Sequence, residues 1–488
     1  MSALLPLLVA VPLLGAGLVV LVGRRLILQR LIAFAGVGFV LGASIVLARH
    51  VDAGGPLVAQ PGGWPAPAGI TLIADRMSAL MMAVSAIVLL AVLIFAAVQL
   101  GRDAVDWWFH AKYLVLTAGV ALSLLTGDLF NLFVGFEIML IASYVLMTVK
   151  TGSAEIRATM TYVVVNLVAS ALFLLLIAFT YGAVGTVNLA DLAVRLPDID
   201  PSIRNGLGLL MLVVFGIKAA LFPLFMWLPD SYPTAPTPVT AVFAGLLTKV
   251  GIVVIIRTQT LLFAEEGPSG LLLFVAGATM VVGVLGAIAQ NDIKRILSFH
   301  IVSQIGYMLM GLGFLSVAGL AAAILFVANQ IVVKTGLFLV GGIVESESGT
   351  GALDRNGGLL HRRPFIAVLF LALALSLAGI PPFSGFVPKL GLVQAGLALD
   401  RGLIVAVSLT VSVLTFWSMT KIWSGAFWGQ PVRSIEHPRR GMVIATASLV
   451  GVSVVAAFLA EPIVGMATRA ATDLLDPSVY VASVLGDV

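Results

Sequence analysis

Apolar runs of about 20 residues recur along the whole chain, each closed by a polar or a glycine- and proline-rich stretch. A helix needs about 20 such residues to cross the hydrocarbon core of a bilayer. The pattern predicts fourteen spans, at 3–23, 28–48, 76–99, 112–127, 129–149, 160–182, 205–228, 238–261, 270–289, 294–314, 317–341, 364–399, 403–428 and 441–460. Gly379, Pro381, Pro382, Gly385 and Pro388 interrupt the twelfth, which therefore reads as a broken helix. The longest polar stretches, 49–70, 183–204 and 342–363, read as loops, with a short surface helix at 188–195. The expected fold is one all-α polytopic membrane domain.

Composition agrees. Of 488 residues, 60% are hydrophobic and 10% charged, against about 25% charged in a soluble domain. An ordinary soluble enzyme, a nucleic-acid binder and a disordered protein are excluded. Cysteine is absent, so disulfides, thiolate metal sites and cysteine-ligated clusters are excluded too, and no cofactor or metal is expected. The N-terminus, MSALLPLLVAVPLL, lacks a basic leader and reads as an uncleaved first helix. Loops joining odd to even spans hold 15 of the 27 Lys and Arg, and the opposite side holds 7. That bias places both termini outside the cell membrane.

The other five basic residues are Lys218, Lys249, Lys334, Lys389 and Lys421, all inside apolar spans, whereas the arginines read as loop residues. Lysine is the basic side chain that can release its proton on burial, while arginine stays charged. Glu137 lies mid-span, and His300 lies one or two turns into span ten. A charge at mid-bilayer costs about 2.5–3.5 kcal/mol on insertion scales, and five ammonium groups outnumber one carboxylate. A hydrated row of titratable amines, that is a proton relay, resolves the imbalance.

Helical spacing supports this reading. His300, Ser303, Gln304 and Tyr307 form one polar stripe at i, i+3, i+4, i+7. Gln330 and Lys334 are spaced i, i+4, as are Asn166 and Ser170, a pair that also suits simple interhelix bonding. Lys218 precedes Pro223 within one span and Lys389 follows Pro388 directly, so a buried lysine flanks each interrupted span, seven and twelve. Lys249 follows Lys218 at i+31, and Lys421 follows Lys389 at i+32. Paired broken helices in two halves point to repeats, here spans four to eight (111–262) and nine to thirteen (268–430), with spans one to three (1–110) before and 440–488 after.

Four segments carry a family resemblance: GFEIMLIASYVLM, GIKAALFPLFMWLPDSYPTAPTPVTAVFAGLLTKVG, NDIKRILSFHIVSQIGYMLMG and AGIPPFSGFVPKLGL. Together they resemble the antiporter-like subunits shared by respiratory complex I and Mrp-type cation/proton antiporters, over about residues 70–430. FAGLLTKVG and SGFVPKLGL look most like the D-subunit branch of Mrp sodium/proton antiporters. The resemblance implies two inverted five-helix repeats, a Glu137–Lys218 pair, Lys249 as central relay, His300 and Lys334 bridging the halves, and Lys389 as the terminal residue. For Lys421 only the spacing speaks; Gln304 and Tyr307 rest on their stripe. The family's long lateral helix is not expected, and 461–488 reads as at most a short surface helix.

The functional expectation is a proton-translocating secondary transporter subunit rather than an enzyme. By the resemblance its partners are an A-type large subunit and small subunits. Na⁺ prefers several oxygens, so sodium is expected to pass through, or be shared with, a partner. The alternative within the resemblance is a proton-pumping membrane subunit of complex I, a translocase component. An organic-anion carrier would gather its lysines at one depth, a lipid enzyme would show a catalytic cluster at an interface, and a purely structural subunit would not keep a titratable row.

Overall fold

The computed structural model describes residues 1–99, 108–148, 152–263, 269–430 and 437–486. The regular elements of the described chain are helices apart from one antiparallel hairpin, β1 (Leu57–Ala59) paired with β2 (Leu72–Ala74). The helices are α1 (Leu4–Val22), α2 (Leu26–Gly54), α3 (Arg76–Gln99), α4 (Phe109–Leu125), α5 (Leu129–Met147), α6 (Ser153–Val184) and α7 (Leu189–Arg195). Next come α8 (Pro201–Ala219), α9 (Trp227–Ser231), α10 (Thr237–Val242), α11 (Thr248–Phe263), α12 (Ser269–Ala289), α13 (Ile293–Gly313) and α14 (Val317–Ser348). The last are α15 (Leu359–Arg362), α16 (Pro364–Ala378), α17 (Phe386–Ala398), α18 (Gly402–Ile422), α19 (Arg440–Phe458), α20 (Ala460–Leu475) and α21 (Pro477–Leu485).

Twelve of the described helices, counting α10 and α11 as one, are long and apolar enough to cross a membrane; α4, α16 and α17 are shorter apolar helices. Side-chain caps fix many of the starts: Asp128 for α5, Asn188 for α7, Asp200 ahead of Pro201 for α8, Asp292 for α13 and Ser316 for α14. Span eleven outruns its sequence boundary and continues to Ser348. Its acidic end is neutralised, because Lys294 pairs with Glu345 and Arg363 with Glu347.

The centre of the bundle is α10–α11, α13 and α14, which are almost wholly enclosed by other helices. Along α1, α6, α12, α18 and α19 much of each helix faces outward, and the outward side chains include Leu21, Phe179, Phe274, Leu403 and Phe458. Exposed apolar stripes of this kind suit lipid or another membrane protein.

Two stretches repeat at a constant offset, the one that takes Asp128 to Asp292. Asp128 caps α5 and bridges Asn188; Asp292 caps α13 and bridges Ala352. The flanking ladders correspond, Leu129 N–H to Val187 O and Leu189 N–H to Gly127 O against Ile293 N–H to Gly351 O and Leu353 N–H to Asn291 O. Helices α6 and α14 are equal in length, and both end at a left-handed glycine, Gly185 and Gly349. The broken helices then follow: α8 ends at Ala220 (φ 60°) and α16 at Gly379 (φ 82°), each in left-handed conformation. The lysines do not occupy matching places in these breaks. Lys218 lies in the last turn of the helix entering its break, whereas Lys389 lies beyond its break in α17. The similar spacings from Lys218 to Lys249 and from Lys389 to Lys421 therefore do not reflect equivalent positions.

Two expectations are corrected. The tail is not a single short surface helix. Helix α20 buries Met466, Ala467, Ala470, Ala471 and Leu474 against the bundle, and Arg76–Asp473 (2.6 Å) and Arg469–Asp52 (2.7 Å) pin it. Its apolar positions recur at helical spacing, which gives it a face to dock. Arg257, read as a loop residue, lies inside α11, where it is paired with Asp75 and capped by the Tyr480 ring at 5.1 Å. An aspartate supplied from a distant turn offsets the cost of burying that charge.

Candidate functional site

In the first half, α5 presents Glu137, α6 presents Asn166 and Ser170, and α8 presents Lys218. Among the described residues Glu137 makes no ion pair within 4.0 Å. Instead Ser170 donates a hydrogen bond to its carboxylate. Lys218 Nζ donates to Ser170 Oγ at 3.1 Å and to the Asn166 carbonyl at 3.3 Å. The expected Glu137–Lys218 pair thus exists through a serine. Lys218 is one residue from the end of its helix, and Gly251 of α11 packs against the Lys218–Ala219 backbone.

Lys249 sits two residues beyond a π-helical turn, Phe243–Leu247, between α10 and α11. Its Nζ donates to the Ala244 carbonyl at 2.5 Å. Single π turns of this kind often mark functional sites. Gly245 within the turn lets α14 approach, since a Cβ there would lie 2.2 Å from Thr335 Oγ1. Thr335 is the neighbour of Lys334, so the π turn and the next lysine are packed together.

Lys334, fully buried on α14, lies within Coulombic reach of both Lys249 and Lys389, and His300 lies within reach of Lys334 and Lys389. His300 Nε2 bonds Ser418 Oγ at 2.9 Å. Among the described residues, the Lys334 amine, His300 Nδ1 and both amide atoms of Gln304 and of Gln330 are buried without a hydrogen-bond partner. Buried polar atoms are nearly always satisfied, by protein or by ordered water.

Lys389 closes the row. Its Nζ donates to the Ala378 carbonyl at 3.1 Å, freed by the helix break, and to Ser412 Oγ at 2.9 Å, and it lies 4.6 Å from the Tyr307 ring centroid. Gly379 is needed here twice: its φ is left-handed, and a Cβ would lie 2.5 Å from Lys389 Cδ. Tyr307 Oη donates to the Ser408 carbonyl at 2.5 Å and lies 2.8 Å from Ser412 Oγ. Lys421 is placed elsewhere. It donates to the Ile288 and Gln290 carbonyls at 2.9 and 2.6 Å at the end of α12, a contact that suits a cation at a helix C-terminus.

Sequence reasoning missed Ser170 as a site residue and missed the α18 stripe Ser408, Ser412, Thr415 and Ser418. Three of these four contact Tyr307, Lys389 or His300. Their spacing of i, i+4, i+7, i+10 was available as a signal. It also missed the Asp75–Arg257 pair. Burial alone would raise the Asp75 carboxyl. The Arg257 charge and hydrogen bonds from Arg257 and Ser78 outweigh it and hold the group below the ordinary carboxylate value.

A bundle with two broken helices, a π turn and buried lysines reaching from one half toward the other is the class of site found in ion-translocating membrane subunits. The family model described as "NADH:quinone oxidoreductase/Mrp antiporter, TM" matches residues 126–415, and the chain belongs to that family. It is 42% identical to the D subunit of the Na(+)/H(+) antiporter of Alkalihalophilus pseudofirmus, covering 99% of this chain and 100% of that one. It matches a chain of the Mrp complex from Dietzia sp. DQ12-45-1b with TM-score 0.94 and 34% identity, over 99% of each chain. A chain of respiratory complex I from Thermus thermophilus matches with TM-score 0.79 at 21% identity, over 96% of this chain and 100% of that one, a likeness of fold alone.

Proposed function

We propose that the chain is the proton-translocating subunit of a multisubunit monovalent cation/proton antiporter in the cell membrane. The observation that carries this is the central cluster: buried Lys334 lies within electrostatic reach of Lys249 and of Lys389, and His300 within reach of Lys334 and Lys389, on helices that also carry the buried Gln304 and Gln330 amides without a partner among the described residues. In this reading protons enter the first half at Glu137, Ser170 and Lys218. They cross along Lys249, Lys334 and His300, and leave near Lys389, Tyr307 and Ser412. Adjacent amines repel when both are charged, so occupancy alternates along the row. Release of Lys218 from the Glu137–Ser170 arrangement lets its proton move inward.

The repeated architecture that relates Asp128 to Asp292 supports two inverted five-helix units, 111–262 and 268–430, within fourteen spans and with both termini outside. Among the described residues the interior offers amines and one mid-span carboxylate, Glu137, rather than an oxygen cage for Na⁺. Sodium therefore moves through, or is shared with, a partner, and the partners are an A-type large subunit and small subunits. The higher identity to antiporter D subunits supports this over the complex I reading. Replacing Lys249 with Ala is expected to abolish Na⁺-driven proton exchange in vesicles while the assembled complex is still recovered. Exchange at the wild-type rate would remove Lys249 from the path.

A further inference from the structure

We infer that Ser170 is itself a proton-carrying residue, the obligatory link between Glu137 and Lys218, rather than an interhelix fastener. This deepens the proton-translocating reading and rests on it. Three elements meet at one hydroxyl: Ser170 Oγ on α6 donates to Glu137 Oε1 on α5 and accepts from Lys218 Nζ on α8 at 3.1 Å. The carboxylate has no direct ion pair to the amine among the described residues, so traffic between them crosses the hydroxyl. A serine is suited to this because it donates one hydrogen and accepts at its lone pairs.

The step balances without any further reactant. An incoming proton carried on Glu137 leaves as the Glu137 Oε1–H bond breaks and a new O–H bond forms at Ser170, while the original Ser170 O–H breaks as its proton bonds the neutral Lys218 Nζ. Glu137 ends as a carboxylate, Lys218 as an ammonium, and Ser170 keeps one proton, now directed at Glu137, which is the arrangement of donors seen here. The second hydrogen bond of Lys218, to the Asn166 carbonyl at 3.3 Å, holds the amine against the hydroxyl.

The repeat supplies an independent observation. At the offset that takes α6 onto α14, Ser170 corresponds to Lys334 and Asn166 to Gln330. The position that carries an amine of the central row in one half carries this hydroxyl in the other. A fastener has no need to fall on that position; a relay residue does.

The test uses vesicles holding the chain with its partner subunits, compared as wild type, Lys249→Ala, Ser170→Ala, Ser170→Thr and Glu137→Gln with and without Ser170→Ala. Ser170→Ala is expected to lower Na⁺-driven proton exchange at least about tenfold, with Thr, which keeps a hydroxyl, restoring it to within about threefold. The double variant is expected to be no slower than the slower single variant, because both remove one link. If the Ala variant is not recovered in the complex, Ser170→Cys, with its weak donor, takes its place under the same criterion. Exchange within about twofold of wild type in the Ala variant, or multiplied losses in the double variant, overturns the role of Ser170. Wild-type vesicles with no cation-driven exchange, or Lys249→Ala vesicles that retain it, overturn the wider reading instead, so the two failures are distinguishable.

Discussion

Lys389 and Tyr307 share one hydroxyl: Ser412 Oγ lies 2.9 Å from the Lys389 amine and 2.8 Å from Tyr307 Oη, while the amine also lies 4.6 Å from the tyrosine ring centroid. The tyrosine therefore touches the terminal lysine in two separable ways, by its ring and through its hydroxyl.

Tyr307→Phe removes only the hydroxyl route. One hydrogen bond is worth about 0.5–1.5 kcal/mol, so proton exchange should fall by about two- to tenfold. Tyr307→Leu also removes a cation–π contact worth about 0.5–2 kcal/mol and should fall further. Equal rates for the two variants in vesicle flux measurements would exclude a role for the ring.

Arginine should not replace lysine along the central row. A guanidinium retains its proton under all physiological conditions, so Lys249→Arg and Lys334→Arg keep the charge and lose the exchange. Flux in assembled vesicles checks this, and exchange preserved in either variant would show that charge, not titration, is what the position supplies.

Lys421 should behave differently from the other four span lysines. Its amine bonds the Ile288 and Gln290 carbonyls at the end of α12. Lys421→Met should cost about 1.5–3 kcal/mol of stability, as for hydrogen bonds to a charged group, and leave proton exchange near the wild-type rate. Thermal melting of the purified complex together with vesicle flux separates the two effects; loss of exchange at normal stability would restore Lys421 to the path.

Gly245→Ala should disturb the π turn beside Lys249. The new Cβ would lie 2.2 Å from Thr335 Oγ1, and overpacking of this kind costs about 1–3 kcal/mol. Adding Thr335→Ala removes the clashing oxygen and should recover part of the lost stability. A double variant no more stable than Gly245→Ala would show that the clash lies elsewhere.

Asp75→Asn should be among the more destabilising polar substitutions, because it leaves Arg257 buried without its partner, a change that costs about 3–5 kcal/mol. The pH dependence has a definite sign. The Asp75 carboxyl is held below its ordinary value. Its contribution is therefore complete above the unfolded carboxyl value of about 3.9 and drains away only as pH falls through the lower folded value. Melting curves at neutral and acid pH check this: the difference between wild type and Asp75→Asn should persist at pH 6 to 8, about two to four pH units above the unfolded value, and shrink in acid.

The sequence by itself determined the helical membrane class, most span boundaries to within a few residues, the short helix at Leu189–Arg195 and the lysines that lie inside apolar spans. Each is written locally, in apolar run length, capping residues, helix breakers and the cost of an amine in hydrocarbon. Only the tertiary structure decided which polar groups meet. Glu137, Ser170 and Lys218 come from three helices, so no spacing along one helix reveals the serine between them. Lys218 and Lys421 look alike in sequence, both lysines inside an apolar span. One reaches a serine beside a carboxylate, and the other reaches the carbonyls closing a neighbouring helix. Arg257 shows the same limit, because its burial depends on Asp75, far away along the chain and brought to it by packing. A side chain's role in a membrane interior follows from the partner it finds, and partners are set by how helices pack.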